Sequence, residues 1–240
     1  MKVWKVFLVT SLVTLAIGGI YLYSVFKHRE TPGVAEQKTA EDTLTRDQLA
    51  VIRQFFPQHY EDLQRFKGTT VWMQNGYTMP YFEYRDGRVD FAKKAGLIPA
   101  AQEMDVQKIV KAAAPAKVDD GIEHGSRQAF VVFTLPGAKE LYATPVGFME
   151  GNQEAYYTDL LFYYDDPHKI YDYWGKDVWA AIDAHEVKPG MSELEVQMSI
   201  GHKMHSDSRT VGDRTVTYDM NGKKWTVTFV KDRATVIKQS

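Results

Sequence analysis

The run Val6–Phe26 constrains this chain more than any other stretch. It holds 21 residues without one charged side chain, and Lys27, His28 and Arg29 close it. A helix rises about 1.5 Å per residue, so such a run is roughly 31 Å long, close to a bilayer's hydrocarbon thickness. A helix satisfies its own backbone in lipid. Trp4 near one end, with Tyr21, Tyr23 and Phe26 near the other, suits the two interfaces. The sequence therefore predicts a tail at 1–5 and a single transmembrane helix over 6–26, with the lipid bilayer as its partner. The rival is a cleaved signal peptide, because Ala16-Ile17-Gly18 offers small residues before Gly19. The apolar run continues through Ile20, Leu22 and Val25, where a mature N-terminus is normally polar, so an uncleaved anchor is expected.

Lys2 and Lys5 before the run nearly balance Lys27 and Arg29 after it, so charge alone does not orient it. A short tail ahead of a large polar remainder is the layout of a signal anchor. The expected location is thus the bacterial inner membrane, single-pass, with the soluble part periplasmic or otherwise extracytoplasmic. Thr10, Thr14 and Gly18 share one helix face, a spacing that lets two membrane helices approach.

The rest of the chain is ordinary in composition. Net charge is −2 over 240 residues, 25% are charged and 44% hydrophobic. No basic excess points to nucleic acid, so none is expected as a partner. The absence of cysteine excludes disulfides, thiolate zinc sites, cysteine nucleophiles and a cysteine-linked lipid. No cofactor is expected.

Periodicity and turn residues predict an α+β fold. Residues 27–43 read as a flexible linker, 44–175 as one mixed domain with an antiparallel sheet, and 176–240 as a helix–helix–three-strand module. Thr45 to Gln48 has the pattern of a capping box, opening a helix with Leu49, Ile52 and Phe56 inward. Pro57 ends or kinks that helix ahead of Tyr60, Leu63 and Phe66. A β meander follows: Thr69–Met73, an Asn75-Gly76 hairpin turn, Tyr77–Tyr84, an Asp86-Gly87 turn and Arg88–Phe91. Pro80 belongs at an edge or bulge. A helix starting near Pro99 places Met104, Ile109 and Val110 on its apolar side, and Pro115 closes it. Strands are predicted over Gln128–Leu135, Glu140–Met149 and Ala155–Tyr164, the last central and buried on both faces. Asp166-Pro167 opens a helix ending at Gly175.

In the last third, Lys176–His185 reads as a short helix. Ser192 to Glu195 is a second capping box, and Gly201 stops its helix. Strands Thr210–Tyr218, Lys224–Val230 and Arg233–Ile237 follow, with Asn221-Gly222 turning between the first two. Val187-Lys188-Pro189-Gly190-Met191-Ser192, then Glu195-Val196 and Ile200-Gly201, resembles the small module of the BamE (SmpA/OmlA-like) family, an outer-membrane assembly component. The resemblance covers about 60 residues and implies that module's fold and an envelope scaffold role. The chain departs from the family pattern in two ways. His202, Lys203 and Met204 stand where a proline usually follows the Leu-Gly ending, and the lipoprotein cysteine is missing.

Three groups of residues offer chemistry. Asp119, Asp120, Glu123, His124, Ser126 and Arg127 put acid, base, hydroxyl and cation within nine residues, and a hydrolase can use Asp120, His124 and Ser126 together. Glycine-punctuated polar residues are also what a solvent loop contains, and the Gly-x-Ser-x-Gly elbow is absent. His202 and His205, three apart after a helix, are the candidate metal ligands, against a reading as exposed polar residues. Asp165, Asp166 and His168 are accounted for by helix capping. Among the dense aromatics from Phe148 to Trp179, Tyr157, Tyr163 and Trp174 are the candidate binding residues for glycan or peptide, against a reading as core. Sequence thus favours a membrane-anchored, non-enzymatic envelope protein that works through a protein partner. The alternatives are an anchored envelope hydrolase using the Asp119–Arg127 loop, and a glycan- or peptide-binding module.

Overall fold

The computed structural model describes residues 18–24, 44–115, 127–220 and 222–240. Residues 1–48 form one compact unit and Leu49–Ser240 another. In the first unit, residues 18–24 are helical. Among the described residues no helix is long and apolar enough to cross a membrane, and most of the expected transmembrane helix over 6–26 lies outside them. The linker at 27–43 lies outside the described residues.

The first capping box forms. The Gln48 amide donates to Thr45 Oγ1 at 3.3 Å, and the Thr45 amide to Gln48 Oε1 at 2.8 Å. Helix α1 (Arg46–Leu49) nevertheless lasts a single turn. Residues 50–58 carry no regular structure, so the stripe through Leu49, Ile52 and Phe56 is not made. Leu49 and Phe56 are exposed, while Ile52 packs against the C-terminal core. The chain then tightens into a 3-10 helix (Tyr60–Phe66), whose Leu63 and Phe66 are buried as their spacing predicts.

The unit is mostly β, with two antiparallel sheets, which corrects the expected balance of helix and strand. Eight strands form the larger sheet in the order β3-β2-β6-β5-β4-β1-β8, with β7 added on β6. They are β1 (Thr70–Met73), β2 (Met79–Arg85), β3 (Arg88–Ile98), β4 (Glu103–Ala113), β5 (Arg127–Thr134), β6 (Tyr142–Glu150), β7 (Gln153–Tyr156) and β8 (Phe162–Tyr163).

Three sequence expectations fail here. Asn75-Gly76 turns the chain but makes no hairpin, because β1 pairs with β4 and β8 rather than with β2. The helix after Pro99 is strand β4. Its ladder to β5 shifts register between Val106 and Lys108, so buried Met104 and Val106 alternate but Ile109 follows three residues later. A bulge inserts one extra residue and so imitates a helical spacing. The third is Ala155–Tyr164, which is not one central strand: β7, helix α2 (Thr158–Leu161) and β8 share it. The strand buried on both faces is β5. Its Val131 and Phe133 join one cluster with Leu63, Met104 and Val146, and its Phe130 and Val132 join another with Phe82 and Ala143. Pro80 does sit beside register shifts, at Tyr81–Glu83.

The second sheet follows three helices: α3 (Pro167–Ile170), α4 (Lys176–Asp183) and α5 (Glu193–Ile200). Asp166 caps α3 by accepting the His168 amide at 2.9 Å. Ser192 Oγ accepts the Glu195 amide at 3.2 Å, and the Ser192 amide donates to Glu195 Oε2 at 2.6 Å, completing the second capping box. The sheet runs β12-β11-β10-β9, from β9 (His202–Ser206), β10 (Thr215–Met220), β11 (Lys223–Val230) and β12 (Arg233–Gln239). The expected helix–helix–three-strand module is therefore corrected to one with a fourth strand. Strand β9 is short and, but for Met204, polar, and pairing with β10 rather than its own periodicity defines it. Asn221 lies outside the described residues. Val196, Ile200, Val216, Tyr218 and Phe229 make this core together with Trp179, Trp174 and Tyr163.

Candidate interaction surface

Residues 50–60 cross the unit as a strap, and its backbone is held in an uncommon way. The Phe55 and Phe56 amides donate to the two carboxylate oxygens of Asp159, at 2.8 and 2.7 Å. The Gln58 and His59 amides both donate to Asp62 Oδ2 at 2.9 Å. The Tyr60 amide donates to Glu154 Oε2 at 2.9 Å. Pro57 has no N–H. Every amide N–H from Phe55 to Tyr60 thus ends on a carboxylate. Backbone donors are obligatory hydrogen-bonding groups, and charge-assisted bonds are the stronger kind. An irregular segment gains in this way the fixed backbone that a helix or strand would otherwise supply.

The carboxylates come from different elements. Asp159 stands on α2, Glu154 on β7 and Asp62 on the 3-10 helix. The Tyr156 hydroxyl also donates to Glu154 Oε2, at 2.9 Å. Burial and the nearby Glu154 push the Tyr156 hydroxyl's pKa well up, so it stays protonated as a donor. The two backbone N–H bonds hold Asp62 below the usual carboxylate range. Earlier in the strap, Arg53 donates to the Tyr164 carbonyl at 2.6 Å and pairs with Asp165 at 2.9 Å.

This frame displays apolar side chains to solvent. Phe55 packs edge-on against the stacked pair Phe66 and Tyr164, at 5.7 and 4.6 Å between centroids, and stays partly exposed. Phe56 is 66% exposed and adopts φ +49°, a left-handed conformation that disfavours a large side chain. Leu160 and Tyr157 on either side of Asp159 are 50% and 39% exposed.

The candidate residues named from sequence are dispersed. Asp120, His124 and Ser126, with Asp119 and Glu123, lie outside the described residues, and Arg127 opens β5 opposite Met149. Tyr157 is at the surface just described. Tyr163 is 1% exposed, and its hydroxyl donates to Asn75 Oδ1. Trp174 is 8% exposed and stacks on Tyr171 at 4.4 Å. His202 and His205 both lie on β9; His202 Nδ1 is 2.8 Å from the Gly76 carbonyl, and His205 is exposed opposite Thr217. Among the described residues no three His, Asp or Glu side chains gather as a metal ion requires. His168 stacks on Trp179 at 4.0 Å between Asp166 and Asp183, joining α3 to α4. Sequence reasoning missed Phe56, Asp159 and Leu160. Phe55 and Asp159 stand 104 positions apart, so no local spacing links them.

Compared with protein-family models, curated proteins and solved structures, the chain shows no significant match to any of the three.

Proposed function

We propose that the chain is a non-enzymatic interaction protein of the bacterial cell envelope, held at a membrane through its uncharged N-terminal run, with the strap as its contact surface. The observation that carries the reading is Phe56: a large aromatic kept exposed in a disfavoured backbone conformation by two bonds to Asp159. Strained residues persist only where the surroundings impose them, and they concentrate at functional positions. Exposed aromatics on a rigid frame are also what interfaces use as anchors. The resemblance of Val187–Gly201 to the BamE-type module is a second support for an assembly role.

The test is a pull-down of full-length protein from detergent-solubilised membranes. Phe56→Gly is expected to lose a partner that the wild type retains, while the variant stays folded and as abundant. Retention of every partner by Phe56→Gly overturns the reading. Deleting residues 1–29 is expected to release the chain from the membrane fraction. Asp120→Ala and His124→Ala are expected to complement a deletion of the gene as the wild type does; failure of a folded His124→Ala protein to do so favours the hydrolase instead.

A further inference from the structure

The charges around the strap specify the partner more closely. Among the described residues, Asp159, Asp62 and Glu154 hold the strap's amides, Asp165 meets it at Arg53, and Glu61 lies near Tyr60 and Tyr156; the basic side chains at these groups are Arg53, His59, Arg65 and Lys111. Arg53 pairs with Asp165, and Lys111 sits over the Tyr60 ring at 3.9 Å. Arg65 lies near Asp62. His59 Nδ1 lies 3.9 Å from Glu154 Oε2, so among the described residues Glu61 and Asp159 are left without a paired cation and Glu154 has only this imidazole. The oxygens of Asp159 and Glu154 are held by neutral N–H and O–H donors, which order a carboxylate without cancelling its charge. A carboxylate has about four lone-pair sites, so each keeps acceptor capacity after these bonds. The surface is therefore apolar in the middle (Phe56, Leu160, Tyr157) and acidic at its border, in a frame already ordered before anything binds.

We propose that this surface takes a polypeptide segment carrying an apolar side chain flanked by lysine or arginine. The apolar group covers Phe56 and Leu160, and the flanking cations reach Asp159 and Glu154. An anionic lipid surface does not suit this border, because its headgroups would meet the carboxylates with like charge. The proposal rests on the strap being the contact surface and adds the chemistry of what it contacts.

Two fluorescent peptides test it against full-length protein. Both carry the same leucine pair; one has lysines on each side and the other glutamates at those positions. Vesicles of anionic phospholipid form a third arm. The lysine peptide is expected to bind at least about tenfold tighter than the glutamate peptide, and to weaken as salt is raised. Phe56→Gly is expected to weaken it about tenfold or more without lowering the melting temperature, since glycine suits φ +49°. Asp159→Asn is a second variant, expected to narrow the difference between the peptides. Equal binding of both peptides, lost in Phe56→Gly, overturns the charge preference while leaving the strap as the contact surface. Lysine-peptide binding unchanged in Phe56→Gly overturns both. Failure of the lysine peptide to bind, or binding of the vesicles in its place, overturns the proposal.

Discussion

Two residues, Phe56 and Asp62, show how the strap is held. Phe56 occupies a conformation that disfavours a side chain by about 1–2 kcal/mol, and its ring is mostly in water, so it gains little burial in return. Phe56→Gly is therefore expected to leave the unfolding free energy unchanged or raise it by up to about 1 kcal/mol, read from urea midpoints. A clear loss of stability would mean that the ring packs as part of the core. Asp62 makes the opposite kind of contribution. Its carboxyl is depressed in the folded state by the His59 and Gln58 amides. A group whose folded pKa lies below its unfolded one stabilises above the unfolded value, and the stability is lost as pH falls through the folded value. The window is thus the acid side of the ordinary carboxylate range, below about pH 4. Asp62→Asn is expected to lower the urea midpoint at neutral pH and to flatten its dependence on pH in that window; an unchanged acid limb would remove Asp62 from the frame.

Among the elements, β7 shows how closely the strap depends on its neighbours. Gly147 of β6 lies opposite Tyr156, and a Cβ added there would stand 2.2 Å from the Ala155 carbonyl oxygen and 2.6 Å from the Tyr156 ring. Backbone cannot yield as a flexible side chain does, so β7 must move away. Gly147→Ala is expected to destabilise by about 1–3 kcal/mol. Because β7 carries Glu154, the Tyr60 amide should also exchange faster with solvent, and exchange as slow as in wild type would show that β7 and the strap are independent. The strands also explain which elements were readable in advance. Strand β2 meets β3 through Asp86-Gly87, and β10 meets β11, as turn residues indicated. Strand β1 was readable as a strand, but its partners were not. Thr70 pairs with Asp105, 35 positions on, and nothing in a four-residue strand states that.

Across the unit Leu49–Ser240, the buried pair Glu193–Arg214 ties α5 to the smaller sheet. Arg214 Nε lies 3.1 and 3.0 Å from the two Glu193 oxygens, and its Nη2 donates to Oε1. Glu193 also accepts the Gly212 amide at 3.1 Å, while its own amide donates to Asp232 at 3.0 Å. Hydrogen bonding to Glu193 raises the Arg214 pKa. Arg214→Met leaves a buried carboxylate without its cation and is expected to cost about 3–5 kcal/mol. The double variant Glu193→Leu with Arg214→Met is expected to be more stable than Arg214→Met alone, since it removes the orphaned charge. A double variant as weak as the sum of the single ones would mean that shape, not charge, holds this joint.

What could be known without the fold is what lies within a few positions along the chain. The Thr45–Gln48 and Ser192–Glu195 capping boxes join residues three apart, and Asp166 caps α3 two residues away. Such bonds form wherever the local backbone allows, so residue type and spacing suffice to state them. Tertiary structure alone decided the rest. It ended α1 after one turn and laid the strap along carboxylates as far as 104 positions away. It gave β4 a bulge that disguised its period, and it drew the mostly polar run His202–Ser206 into a fourth strand. For β4, β9 and the Asp159 and Glu154 bonds of the strap, the deciding bond joins backbone groups to partners distant in sequence. A backbone N–H is the same at every position, so its partner is chosen by what the fold brings near it and not by the residue that carries it.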